Sequence, residues 1–409
     1  MKKVYAIFLD ENNLENILDN LRNLSPEVTE VCVTLSVELS DLFFSSVCLR
    51  ASGSQLNLLF KELPTTVTEV NLSSNFLGSW PEFDLKKALQ GLPPTVSSVN
   101  LAGNNLGKRT GLELKNALQG LSQGVVKVHL GSNDFEESAR GVLQEALEGL
   151  PGSVTEVNLS GNYLSVYGKS LKEVFLGLSA NVSYLDLSHS RLCACPKDDL
   201  RTAFKGLPPN LTKLGLGANF RVSNHESNLT ELLQILPSSI NHIDLSVSHL
   251  GDMDVINLIG AFQRLPANIT SIDLSNNRLN IEQLEAILRI IPSTVTYMNV
   301  DSNYLFVDHT MRQTEEAIAK IHAVKNPAML LSMKYNGYSL VSRTLPFFLA
   351  GSCGFFKRQP LCTLKNLPTK LISHIFSFLY KEEDYAKRMA EYKKKHRAIT
   401  AEVSRRYQP

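Results

Sequence analysis

One short phrase of residues returns every 28 or 29 positions through most of the 409-residue chain. Val67-Thr-Glu-Val-Asn-Leu-Ser-Ser-Asn75-Phe-Leu77 is one copy. Val154-Thr-Glu-Val-Asn-Leu-Ser-Gly-Asn162-Tyr-Leu164 and Ile269-Thr-Ser-Ile-Asp-Leu-Ser-Asn-Asn277-Arg-Leu279 are two more. A fixed period of this size outranks local signals, because it dictates an array of like units and so limits where function can sit. The marker positions are Asn12, Ser36, Asn75, Asn104, Asn133, Asn162, Ser190, Asn219, Ser248, Asn277 and Asn303, which makes eleven units. From Asn75 to Asn277 each step is 29 residues, except the 28 from Asn162 to Ser190. The end steps are irregular, at 24, 39 and 26 residues, as expected of units that must cover an exposed core. The 39-residue step holds a loop or an added helical turn around Glu38 to Ser54.

Within a unit, apolar residues such as Val67, Val70 and Leu72 alternate briefly, which predicts a short strand with one buried face. The asparagine then turns the chain. Buried backbone groups at such a turn need partners, and an amide side chain offers both a donor and an acceptor. Stacked units therefore form an asparagine ladder. Serine at 36, 190 and 248 has less reach, so the ladder is expected to loosen there. Apolar residues three and four apart predict a following helix, as over 84–92 and 257–265. Leu-Pro or Ile-Pro pairs such as Leu92-Pro93, Leu150-Pro151 and Ile291-Pro292 stop it, because proline lacks an amide hydrogen and restricts the residue before it.

A strand spacing near 4.8 Å and a helix spacing of about 8–10 Å cannot share a straight stack. The array must curve, with parallel strands on a concave face and helices on a convex one. The pattern L-x-x-L-x-L-x-x-N-x-L over residues 1–325 resembles the leucine-rich repeat. Its length with a full helix per unit resembles the ribonuclease-inhibitor-like subclass. The resemblance implies an α/β solenoid, with residues 326–409 as a helical, capping C-terminal region.

The formal net charge of +1 gives no global field for nucleic acid. Six cysteines, at 32, 48, 193, 195, 353 and 362, are too few and scattered for a disulfide scaffold, and Cys193-Ala-Cys195 is not a metal spacing. The six apolar residues before Asp10 are too few for a signal peptide, and Leu345 to Phe356, broken by Gly351 and Gly354, is too short to span a membrane. Sequons at Asn71 and Asn158 fall inside strands, where a glycan does not fit. No cofactor or metal is expected, and neither is an oligomer.

With Val67 as the first position, the third, fifth, seventh and eighth face the open side of the strands. The third varies most: Glu69, Ser98, Lys127, Glu156, Tyr184, Lys213, His242, Ser271 and Tyr297. The fifth is mostly Asn or Asp, and the seventh is mostly small. Large aromatic and charged side chains carry most interface energy. Here they gather in the second half, as Tyr184, Asp186, His189, Lys213, His242, Asp244, Asp273 and Tyr297, which are the expected contacts for a protein partner. The opposing expectation is a plain scaffold face, with the contacts made by loops or tail. Catalysis is not expected, since an open sheet offers no pocket and no nucleophile is singled out. A small-GTPase activator would need a placed arginine, for which Arg191, Arg221 and Arg278 are available.

Beyond the repeats, Leu367-Pro-Thr-Lys-Leu-Ile-Ser-His-Ile-Phe-Ser-Phe-Leu379 places Leu367, Pro368, Leu371, Ile372, Ile375, Phe376 and Leu379 on one helical face. It resembles the first helix of an F-box, which docks the Skp1 adaptor of a ubiquitin ligase. Lys370 stands where an F-box carries an acidic residue, and the downstream tryptophan pattern is missing. The other reading is a helix that seals the solenoid. The tail 381–409 has nine Lys/Arg against five Asp/Glu and is expected to be a solvated helix. Finally, Leu-Pro-x-x-Val-Thr-x-Val-Asn-Leu-Ser-x-Asn, as at Leu150 to Asn162, is similar to the leucine-rich-repeat effectors of Legionella. Glu382-Glu383-Asp384 resembles the acidic cluster in their translocation signals. That likeness implies type IV secretion into a host cytosol and a host protein as partner.

Overall fold

In the computed structural model, residues 3–9, 14–25, 27–35, 52–79, 84–139, 141–220, 226–306, 311–333 and 336 are described. The chain divides into two compact units, residues 1–305 with 320–336 and residues 306–319 with 337–409. The first holds one open sheet of 12 parallel strands in sequence order. They are β1 (Lys3–Leu9), β2 (Val28–Leu35), β3 (Glu69–Asn71), β4 (Ser98–Asn100), β5 (Lys127–His129), β6 (Glu156–Asn158), β7 (Tyr184–Asp186), β8 (Lys213–Gly215), β9 (His242–Asp244), β10 (Ser271–Asp273), β11 (Tyr297–Asn299) and β12 (Leu330–Ser332). Helices intervene: α1 (Leu14–Arg22), α2 (Gly53–Lys61), α3 (Leu85–Leu89), α4 (Gly111–Leu118), α5 (Val142–Glu148), α6 (Leu171–Leu176), α7 (Lys197–Phe204), α8 (Glu226–Gln234), α9 (Val255–Phe262) and α10 (Ile281–Ile290). A last helix, α11 (Met311–Val324), begins in the second unit, of which little else is described.

Each strand is short because only its middle residue points inward. Val70, Val99, Val128, Val157, Leu185, Leu214, Ile243, Ile272 and Met298 form one buried column. The leucine two residues on, from Leu72 to Leu274, forms a second. Helix residues such as Leu89, Leu118, Phe175, Phe204 and Phe262 close the core. Burying a large aliphatic side chain stabilises by roughly 1.5–3 kcal/mol, so the two columns alone tie each unit to the next. The helices start at side-chain caps: Ser52, Asp84, Thr110 and Asn280 each accept a backbone N–H of the first turn. They end earlier than the apolar spacing predicts. Leu92 and Leu265 already bond three residues back, to Leu89 and Phe262, so the last turn tightens before the proline arrives.

The ladder forms as expected and breaks where serine replaces asparagine. Asn104 Oδ1 accepts the Asn75 N–H, Asn133 Oδ1 the Asn104 N–H, and Asn162 Oδ1 the Asn133 N–H, at 2.8, 2.8 and 2.7 Å. Each amide nitrogen in turn donates to a carbonyl of the preceding unit, as Asn104 Nδ2 does to Leu72 O at 2.8 Å. Ser190 is too short to continue the chain, and its buried Oγ has no partner. Ser248 turns its hydroxyl to its own unit, onto Ser246 O at 3.2 Å. The series extends past Asn303, whose N–H donates to Asn336 Oδ1 at 2.7 Å, so Asn336 caps the final strand. Asn12, Ser36 and the segment 36–51 lie outside the described residues.

Candidate functional site

Register places the predicted residues in rows. Across β6 to β11 the first row reads Glu156, Tyr184, Lys213, His242, Ser271, Tyr297, and the second reads Asn158, Asp186, Gly215, Asp244, Asp273, Asn299. The predicted residues do not all converge. Tyr184 and Tyr297 stand four strands apart, about 19 Å at the usual spacing. His189 belongs to neither row; it sits exposed on the turn, with a left-handed φ of 56°. Tyr184, Asp186, Lys213, His242, Asp244 and Asp273 do form one block over β7 to β10.

The second row is a braced line of carboxylates. Asp186 accepts the Ser188 N–H at 2.9 Å and Asn158 Nδ2 at 2.8 Å. Asp273 is held the same way, by the Ser275 N–H at 2.8 Å and Asn299 Nδ2 at 2.9 Å. Asp244 accepts the Ser246 N–H at 2.7 Å but has no asparagine beside it. Burial pushes its carboxyl above the ordinary range, the Ser246 hydrogen bonds oppose this, and the charges of Asp273 and Asp186 add to it. Burial, then Asp186, Asp244 and Glu156, push the Tyr184 phenol up to about 12. His242 Nδ1 meets Ser271 Oγ at 2.7 Å. Burial and then Lys213 hold this imidazole below its usual value, against Asp244 and Asp273. A Ser–His pair alone is not a catalytic triad; that needs a third group orienting the other ring nitrogen, and no described hydrogen bond of His242 supplies it.

Two residues escape a reading that follows the Asn/Asp consensus. His129 occupies the second row between Asn100 and Asn158, and burial depresses its pKa while Asp186 opposes this. Asp301 continues the third row, and Ser332 Oγ donates to it at 2.7 Å. Strict counting of the period finds both. Asn71 and Asn158, the sequon asparagines, lie within β3 and β6 as expected.

The other candidates are engaged or not described. Arg191 lies 4.2 Å over the Tyr163 ring. Arg278 pairs with Asp252 at 3.0 Å. Arg221 and residues 367–379 lie outside the described residues. Cys193 and Cys195 are buried free thiols, and no described group of three or more His, Cys, Asp or Glu could hold a metal ion. No helix among the described residues is long and apolar enough to cross a membrane.

No family model matches the chain, and no curated protein matches it in sequence. Among solved structures it is similar to the leucine-rich repeat-containing protein LegL7 from Legionella pneumophila, at 22% identity and a TM-score of 0.64, over 80% of this chain and all of that one. It also aligns with the complex of Rad7 and Elc1 in yeast, at 13% identity and a TM-score of 0.40, over 81% of this chain and 80% of that one. Together with the parallel open sheet and the asparagine ladder, the first likeness makes the fold a leucine-rich-repeat solenoid.

Proposed function

We propose that this solenoid is a non-enzymatic protein-binding module whose open strand face, over β7 to β11, meets a host protein after a bacterium delivers the chain into the host cytosol. The observation that carries the binding reading is the block of aromatic, basic and acidic side chains in register on a face that no other described element covers. Such residues dominate interface energy, whereas near-consensus serine and asparagine do not. The delivery reading rests on the repeat phrasing around Leu150 to Asn162. A second reading rests on residues 367–379, whose F-box-like spacing would make the chain a substrate adaptor for a Skp1–cullin ligase.

One experiment addresses both. The full chain, its Tyr184→Ala/Tyr297→Ala variant and its Leu371→Ala/Ile375→Ala variant are used to capture proteins from eukaryotic lysate, read by mass spectrometry. A partner lost only with the tyrosine variant supports the open face. Capture indifferent to both tyrosines refutes it. Skp1 lost with the Leu371/Ile375 variant supports the adaptor.

A further inference from the structure

The open face carries a charge that the whole chain does not. Over the three rows from β6 to β11 the carboxylates are Glu156, Asp186, Asp244, Asp273 and Asp301, against the one lysine Lys213. The full chain is +1 by the same formal count. Glu156 is already paired, with Lys127 at 2.9 Å. Lys213 makes no ion pair among the described residues, so it leaves the aspartates uncompensated.

The excess has a focus. Gly215 is the one position of the second row, over β6 to β11, without a side chain. Asp186 leans over it: a Cβ built on Gly215 would lie 2.6 Å from Asp186 Oδ1 and 3.0 Å from its Cγ. Asp244 stands on the far side of this notch. Asp186 and Asp273 each take a sideways donor from an asparagine in the row, whereas the row neighbours of Asp244 are Gly215 and another aspartate. The fold thus leaves one half-buried carboxylate short of the lateral donor that its equivalents have. Tyr184 and His242 flank the same step in the first row.

We infer that the notch over Gly215, between Asp186 and Asp244, receives an arginine side chain from the protein partner. This rests on the open-face reading above and gives that partner a chemistry: an exposed basic segment. Guanidinium suits the place because its planar fork offers several donors at once, so it can bond two carboxylates. Its face can stack on Tyr184. It is also less strongly hydrated than an ammonium, which lowers the cost of entering a half-buried site.

The test uses a randomised ten-residue peptide library displayed on phage and selected on the full chain. Selected peptides are synthesised and their affinities measured for the full chain and for three variants: Asp186→Asn/Asp244→Asn, Tyr184→Ala/Tyr297→Ala, and Glu156→Gln as a control outside the notch. Amide replacements keep shape and hydrogen-bond acceptors, and circular dichroism checks that each variant is folded. The expected result is enrichment of arginine at one fixed position. Affinity should fall at least about tenfold for the double aspartate variant, change little for Glu156→Gln, and weaken with salt. Peptides that lose binding to the tyrosine variant but carry no basic residue would overturn the arginine inference and leave the open-face reading standing. Peptides indifferent to every open-face substitution, or no selectable peptide at all, would overturn both.

Discussion

Asn133 and Ser190 hold equivalent places in two units, both fully buried, and the same replacement by alanine should have opposite consequences. Asn133 Oδ1 accepts the Asn104 N–H at 2.8 Å, and its Nδ2 donates to Leu101 O at 3.0 Å. Asn133→Ala strands that N–H and deprives that carbonyl, with no water able to enter a close-packed ladder. A buried polar group left without its partner costs about 1–3 kcal/mol, so two such groups come to roughly 2–5 kcal/mol. Ser190 Oγ bonds to nothing. Ser190→Ala removes an unsatisfied hydroxyl and should be neutral or stabilising by up to about 1 kcal/mol. Urea unfolding followed by circular dichroism gives the two values, with the caution in design that repeat arrays can unfold unit by unit. Hydrogen exchange of the backbone amides near Asn104 and Asn162 therefore accompanies it. The Asn104 amide should lose protection in Asn133→Ala, and the Asn162 amide should be unchanged in Ser190→Ala. A cost below about 1 kcal/mol for Asn133→Ala, or above that for Ser190→Ala, would refute the argument that these side-chain bonds decide how firmly units stack.

Three further outcomes are expected. Cys193 and Cys195 are 3% and 2% exposed, and burial pushes the Cys195 thiol up to about 11, so neither should be alkylated by iodoacetamide at pH 8 until denaturant is added, as read by peptide mass mapping. His129 and His242 have folded pKa values below 6.5, so the unfolded chain binds more protons there; stability should fall as pH drops from about 6.5 through the folded values, by thermal melts, and His242→Gln should flatten part of that slope. Asp244 is shifted the other way, its neutral form being favoured in the folded chain, so Asp244→Asn should raise the melting temperature at pH 7 and lose that gain as the pH falls towards the carboxylate range; a lower melting temperature at pH 7 would contradict the placement of Asp244 among uncompensated acids.

The parts of this fold that repeat were legible, because each unit states the same physics. Val70 and its equivalents alternate with polar residues, so the buried column could be read from any one copy. The loosening at Ser190 was legible too, since a hydroxyl on one carbon cannot reach where an amide on two does. The site was legible only in part. Tyr184 and Tyr297 stand out in type, but type says nothing of the strands that separate them. Gly215 reads in sequence as a lapse from the Asn/Asp column. Its meaning lies in Asp186 and Asp244, each 29 residues away, and emerges only when the strands are laid side by side.

The Asn/Asp column also shows how a scaffold and a site can share one position. An asparagine there is self-sufficient: Asn158 accepts the Ser160 N–H at 2.9 Å and donates to Asp186 at 2.8 Å. It keeps the strand end in shape and gives to its neighbour. Aspartate keeps the first bond, as Asp244 does with the Ser246 N–H, but it can only accept. Alternating Asn with Asp would satisfy every unit, and the row does so at both ends, with Asn158 beside Asp186 and Asn299 beside Asp273. In between, the glycine and the adjoining aspartates remove every lateral donor that Asp244 could use. Folding alone would favour asparagine at 244, since that side chain would donate to Asp273 and lose nothing towards Ser246. A carboxylate held there against the interest of stability is what a surface built to meet a cation requires.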